Sequence, residues 1–115
     1  MSQGARTPEE LETLLEDAFV MRDRDALAEL FESGAVLGDG SREARGGDAI
    51  ARLAGDMWES ERTYLAEPCR VLQARDTGLI VTERGINVVR RGSDGAWRYA
   101  IALLSRDHTT GSEDR

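Results

Sequence analysis

The strand-forming second half of the chain constrains its fold most. "GLIVTERGINVVRRG" (78–92) and "AWRYAIALLS" (96–105) carry apolar side chains on both of their alternating faces. A strand that packs on helices by one face shows polar residues on the other. Two apolar faces therefore need two covers. Helices supply one. A chain of 115 residues has room for one small domain, so a second copy of the chain is expected to supply the other, and a homodimer is predicted. "TYLAEPCRVLQARD" (63–76) joins these segments. The turn sequences "DTG" and "GSDG" connect the three as an antiparallel meander.

The first half reads as helices. In "RTPEELETLLEDAFVMRD", Thr7 is an N-cap, Pro8 suits the first helical position, and Glu10 has capping-box spacing from Thr7. Leu11, Leu14, Leu15, Ala18 and Phe19 recur at helical spacing and define the buried face. Asp23 or Asp25 caps a second short helix containing Leu27, Leu30 and Phe31, which Gly34 ends. "AVL" is a short strand. "GDAIARLAGDMWES" forms a third helix capped by Asp48, with Ile50, Leu53, Ala54, Met57 and Trp58 facing the core. Order ααβα followed by strands gives an α+β fold with helices on one face of a curved antiparallel sheet. Residues 1–6 and the polar tail 106–115 are expected to be disordered, leaving 7–105 as the domain.

Composition removes several function classes. The net charge is −7 and every basic residue is an arginine, dispersed along the chain. Nucleic-acid binding needs a basic stripe to neutralise phosphates, so no nucleic-acid partner is expected. No apolar run approaches membrane length and no signal peptide is evident, so no membrane partner is expected and the cytoplasm is the default location. Cys69 alone makes neither a disulfide nor a Cys-x-x-Cys metal site, and His108 falls in the tail, so no metal is expected. Ser41 and Ser105 have no histidine within a structured segment, which leaves a Ser-His-Asp arrangement unsupported.

The candidate chemistry lies in "AVLGDGSREARGGDAI" (35–50). As a phosphate loop it fails, because Glu43 stands where the third glycine of the dinucleotide fingerprint belongs, no helix follows directly, and the Walker pattern needs a lysine. From its residues it reads first as a plain Gly/Asp/Ser turn; the rim of a pocket with Asp39 as its working residue is the alternative, which needs something further to raise it.

The spacing "DRDALAELFESGAVLGDGSREARGGDAIARL", with the ending "INVVRRGSDGAWRYAIALLS", resembles the ketosteroid isomerase-like, nuclear transport factor 2-like superfamily, which includes the SnoaL-type polyketide cyclases. The likeness spans about residues 8 to 105. It implies a cone-shaped curved antiparallel sheet wrapped around the N-terminal helices, a cystatin-like α+β barrel, with a pocket at the open end and a dimeric assembly. It also implies that Asp39 is a general base that moves a proton beside a carbonyl, and that Asn87 takes the place of a protonated Asp facing the oxyanion. Leu15 falls where the isomerase has a Tyr and donates no hydrogen bond. The implied pocket lining is Leu15, Phe19, Met57, Trp58, Val89 and Tyr99, with Tyr64 or Tyr99 as a replacement hydroxyl. The ligand so implied is a small hydrophobic carbonyl compound, and such chemistry needs no cofactor. Three readings stay open on sequence alone: a cofactor-free isomerase or cyclase, a non-catalytic dimeric ligand-binding or accessory protein, and an interaction module whose cone is filled by its own side chains.

Overall fold

The computed structural model of the protein describes residues 4–59, 70–82 and 85–103. Helix α1 spans Pro8–Met21; Thr7 caps it, its hydroxyl accepting from the Glu10 N–H at 3.0 Å. Glu10 reaches back to the Arg6 N–H (2.7 Å) rather than to that of Thr7, one residue beyond the expected capping box. The chain then turns at Arg22 in a left-handed conformation (φ 52°) and enters α2 (Arg24–Glu29), where Asp23 caps by accepting from the Ala26 N–H at 3.0 Å.

Helix α2 ends earlier than its apolar spacing predicts. Leu30 is its C-cap, and Phe31 already opens strand β1 (Phe31–Gly38). Gly34 is thus inside a strand, not at a helix end. It falls where the pairing of β1 with its neighbour shifts register between Phe31 and Val36, an irregularity that glycine tolerates. Strand β2 (Glu43–Arg45), which the loop-like sequence conceals, pairs back on β1. Helix α3 covers Gly47–Glu59 and buries Ile50, Leu53, Ala54, Met57 and Trp58, as its periodicity predicts. Asp48 lies in its first turn and is not the cap. Gly46 precedes the helix with φ +88°, donating its N–H to the Ala35 carbonyl and accepting from the Ile50 N–H, both at 2.9 Å.

The second half forms β3 (Arg70–Ala74), β4 (Thr77–Thr82), β5 (Gly85–Arg91) and β6 (Trp97–Leu103). The segment 78–92 is therefore two strands rather than one, and Tyr64, Cys69 and residues 104–115, with Ser105 and His108, lie outside the described residues. The six strands make one curved, open sheet in the order β2-β1-β6-β5-β4-β3. Two features depart from expectation. The sheet does not close into a barrel, and β1 runs parallel to β6, so the sheet is mixed rather than purely antiparallel. Ala5, ahead of α1, is fully buried and its carbonyl accepts from the Trp97 N–H at 2.9 Å.

The helices cover one face of this sheet. Leu11, Leu15, Ala18 and Phe19 of α1 join Leu37, Ile80, Val89, Tyr99 and the α3 stripe in one continuous core. Full burial of a Leu side chain contributes about 1.5–3 kcal/mol, so this stripe rather than intrinsic propensity holds α1 in place. Among the described residues no helix is long and apolar enough to cross a membrane.

Candidate functional site

The turn after β1 positions Asp39. Ala35 and Leu37 point into the core, and the period-2 alternation of a strand carries the same face on to Asp39. Asp39 is buried, 2% exposed. Its Oδ1 accepts from the Ser41 N–H (2.9 Å), the Ser41 hydroxyl (3.1 Å) and the Arg42 N–H (2.7 Å), while its own N–H donates to the Arg42 carbonyl (3.0 Å). This is an Asx turn, and Gly40 permits it with φ +96°. The Arg42 Nε lies 3.9 Å from the Asp39 Oδ2, and the Arg42 Nη1 donates to Asp56 Oδ2 on α3 at 3.1 Å. One carboxylate oxygen is thus fixed by the turn, and the other faces a guanidinium at longer range.

Strand β5 positions Asn87, 3% exposed and on the same buried face as Val89. Its Oδ1 accepts from the Leu103 N–H at 2.8 Å. That bond fixes the amide's orientation, so the two Nδ2–H donors point away from Leu103. Leu103 is in register with Gly38, the residue before Asp39. Asp39 and Asn87 therefore come to the same end of the sheet from opposite halves of the sequence.

The six residues expected to line a pocket are all buried in the core: Leu15 and Val89 and Tyr99 at 0%, Phe19 and Met57 at 3%, Trp58 at 5%. Phe19 and Trp58 pack edge to face with ring centroids 5.6 Å apart. Val89 and Tyr99 are register partners, and Tyr99 packs against Phe31 at 5.2 Å. A separate groove of about 700 Å³ runs between α1, α2 and the start of β6, past Leu14, Met21, Leu30 and Trp97. None of the expected site residues lines it.

Sequence reasoning missed one polar pair. The Tyr99 hydroxyl donates to Glu12 Oε2 at 2.6 Å, with both side chains at 1% exposure or less. The expected hydroxyl of Tyr99 is therefore engaged by α1. A signal existed: Pro8, Glu12, Leu15 and Phe19 recur at i, i+4, i+7 and i+11, which puts Glu12 on the buried stripe. Leu14, assigned to that stripe, is partly buried against the core and also lines the groove. Among the described residues no group of three His, Cys, Asp or Glu side chains converges as a metal site would require.

No protein-family model matches the chain, and no curated protein matches it. Solved structures do. A Nostoc punctiforme protein of unknown function with a cystatin-like fold superposes with TM-score 0.72 at 14% identity, over 87% of this chain and 88% of that one. A ketosteroid isomerase-like protein from Erwinia carotovora atroseptica gives TM-score 0.69 at 19% identity, over 85% and 92%. A Thiobacillus denitrificans protein, named as a candidate calcium/calmodulin-dependent protein kinase type II association domain, gives 0.72 at 16% identity, over 93% and 100%. At such identities the likeness concerns the backbone alone, and by its backbone this chain has the cystatin-like fold shared by ketosteroid isomerase-like and nuclear transport factor 2-like proteins.

Proposed function

We propose that the protein binds a small apolar carbonyl compound at the Asp39–Asn87 end of the sheet and acts on it as a cofactor-free isomerase or cyclase. The observation that carries this reading is the convergence of two buried polar side chains through the Gly38–Leu103 register. With Oδ1 held by its turn, Asp39 uses Oδ2 to take a proton from the carbon beside the carbonyl. The C–H electron pair moves into the new C=C bond, and the carbonyl oxygen becomes the enolate oxygen. The Asn87 Nδ2–H donates to that oxygen. Asp39 then returns the proton to a different carbon of the same ligand, so nothing is gained or lost overall.

Leu15 gives the oxyanion no second donor. One such donor is typically worth about 2.7–4 kcal/mol of transition-state stabilisation, so turnover is expected to be slow beside a site with two. That same deficit favours a second reading, a ligand-binding or accessory protein in which Asp39 and Asn87 only orient the ligand. Deuterium uptake separates the two. Incubated with cyclic enones and ketones in heavy water, the wild type is expected to place deuterium beside the carbonyl, and Asp39→Asn to lose at least about a hundredfold in rate, within the span of general-base effects. Ligand-induced thermal stabilisation without uptake would establish the binding reading instead.

A homodimer through the outer sheet face belongs to the same proposal. Leu72, Leu79, Val88, Ile101 and Val36 are consecutive register partners across five strands. Leu72 and Ile101 in that row, and Ile86 beside it, are 46–52% exposed in the single chain. A contiguous apolar face of this kind marks an interface. Ile101→Asp is expected to convert a dimer to a monomer in light scattering; an unchanged mass would remove this face from consideration.

A further inference from the structure

The groove between α1, α2 and the start of β6 has no part in the proposed reaction. It encloses about 700 Å³, within the range of small-molecule sites. Its floor is apolar, with Ala18, Leu30 and Trp97 buried beneath it. Met21 stands at its wall with 74% of its surface exposed, an apolar and adaptable side chain that the described residues leave uncovered. Strand β6 joins this groove at Trp97 to the Asp39–Asn87 end at Leu103. The seven-residue length of the strand, about 20 Å, separates the two.

The rim carries charge of one sign. Among the described residues, five carboxylates line the groove, those of Glu10, Asp17, Asp23, Glu29 and Asp94, against one cation, Arg98. Arg98 is committed to Asp94, with hydrogen bonds of 2.7 and 3.1 Å. This acidity is local and does not merely repeat the net charge of the chain. A second groove, on the outer face of the sheet, is lined by Arg45, Arg90 and Arg98 against the carboxylate of Glu32. Glu10 and Asp23 serve the helices, each accepting from a backbone N–H at the head of α1 or α2. Asp17 and Glu29 make no hydrogen bond or ion pair among the described residues, and Glu29 reaches Arg98 through its field alone.

Such a rim does not select a metal ion, because among the described residues no three acidic groups converge on one point. Carboxylates spread around an apolar floor suit a larger cation whose charge is borne on an apolar body. We propose that this groove is a second binding site and that it takes an organic cation, an uncharged apolar body ending in a protonated amine. The body lies over Leu30 and Trp97 against Met21, and the ammonium sits in the field of the rim, that of Asp17 and Glu29 foremost. An anion meets the same rim as repulsion. The inference goes beyond the carbonyl reading and stands independently of it.

The test uses one apolar body with three ends: 4-phenylbutylamine, 4-phenylbutanol and 4-phenylbutyrate. Each is titrated at neutral pH into the ¹⁵N-labelled full-length protein and followed by amide NMR shifts. Shifts are expected at Asp17, Met21, Ala26 and Leu30, all of which line the groove. Affinity is expected to fall in the order amine, alcohol, acid, the amine leading the alcohol roughly three- to tenfold in about 20 mM salt. In about 0.5 M salt that lead is expected to shrink below about twofold, because exposed charges are screened. The double variant Asp17→Asn/Glu29→Gln, changed at two exposed positions, is expected to lose most of the amine's lead and to keep the alcohol's affinity within about twofold. Equal affinity of amine and alcohol at low salt, a lead that survives in the double variant, or shifts confined to the Asn87 end would each overturn the inference. So would failure of all three compounds to bind. Shifts at the same groove residues on concentrating the protein alone would mean that a second copy of the chain fills the groove, and would overturn it too. Each of these outcomes leaves the carbonyl reading, tested by deuterium uptake, as it stands.

Discussion

Asp39 and Glu12 are both carboxylates buried to 2% or less, yet they are held in opposite ways. Asp39 takes hydrogen bonds from residues two and three positions onward, within its own turn. Glu12 takes its bond from the hydroxyl of Tyr99, 87 residues away on another element. The first arrangement is a local device that shapes a loop and presents the second oxygen. The second is a tertiary strut that joins α1 to β6 in the middle of the sheet. Equal burial thus accompanies a short-range set of donors in one case and a long-range donor in the other.

The comparison breaks most readily at Glu12. Glu12→Ala leaves the Tyr99 hydroxyl buried without that acceptor and opens a void, and is expected to cost about 3 kcal/mol in urea unfolding. Glu12→Gln keeps an acceptor of similar shape and is expected to cost about 1 kcal/mol. Equal losses for the two would mean that volume, and not the hydrogen bond, ties α1 to β6.

Asp39 should respond more mildly and with a sharper split. Asp39→Ala removes three bonds from one turn, for an expected loss of about 1–2 kcal/mol, comparable with deleting a capping side chain. Asp39→Asn retains the accepting Oδ1 and should stay within about 0.5 kcal/mol of the wild type in the same unfolding assay. If so, any loss of proton exchange in that variant reports chemistry rather than folding.

Asp94 supplies the smallest effect and the control. It repeats the local pattern in an exposed turn, accepting from the Ala96 N–H at 3.1 Å and from Arg98 at 2.7 and 3.1 Å. The Arg98 hydrogen bonds, followed by that of Ala96, hold its carboxyl at about 2, below the ordinary 3.8. A carboxyl lowered on folding stabilises the fold above its unfolded value, and the contribution fades as pH falls from about 4 toward 2. Asp94→Asn should therefore lower the melting temperature only slightly at pH 7, because an exposed pair is well screened, and by less at pH 2, where the folded carboxyl is partly protonated. A difference undiminished between pH 7 and pH 2 would assign the effect to turn geometry instead of charge.

Much of the local structure was legible in the sequence. Thr7 and Asp23 cap the helices they announce, α3 buries the stripe that its period predicts, and the apolar parity of β5 puts Asn87 with Val89. Misreadings arose where neighbouring strands overruled local pattern. Phe31 continues the apolar spacing of α2, but pairing with Tyr99 across β6 pulls it into β1. Gly34 looks like a helix stop and lies at a strand irregularity. Of the site, Asp39 was visible because "GDGSR" encodes its own turn, whereas the acidic rim of the groove, drawn from both halves of the chain, has no trace in the sequence.

By itself, then, the sequence determined whatever closes within about four residues: caps, the Asx turn at Asp39, the amphipathic faces and the two apolar faces of the strands. Only the tertiary structure decided the parallel pairing of β1 with β6, and through it the arrival of Asp39 and Asn87 at the same end of the sheet. It also decided the Glu12–Tyr99 bond and the gathering of carboxylates around the groove. The physical reason is one of reach. A short-range hydrogen bond is specified by the residues that span it, but a contact between distant segments depends on the register, irregularities and curvature of the strands between them, which are set by packing the whole sheet at once.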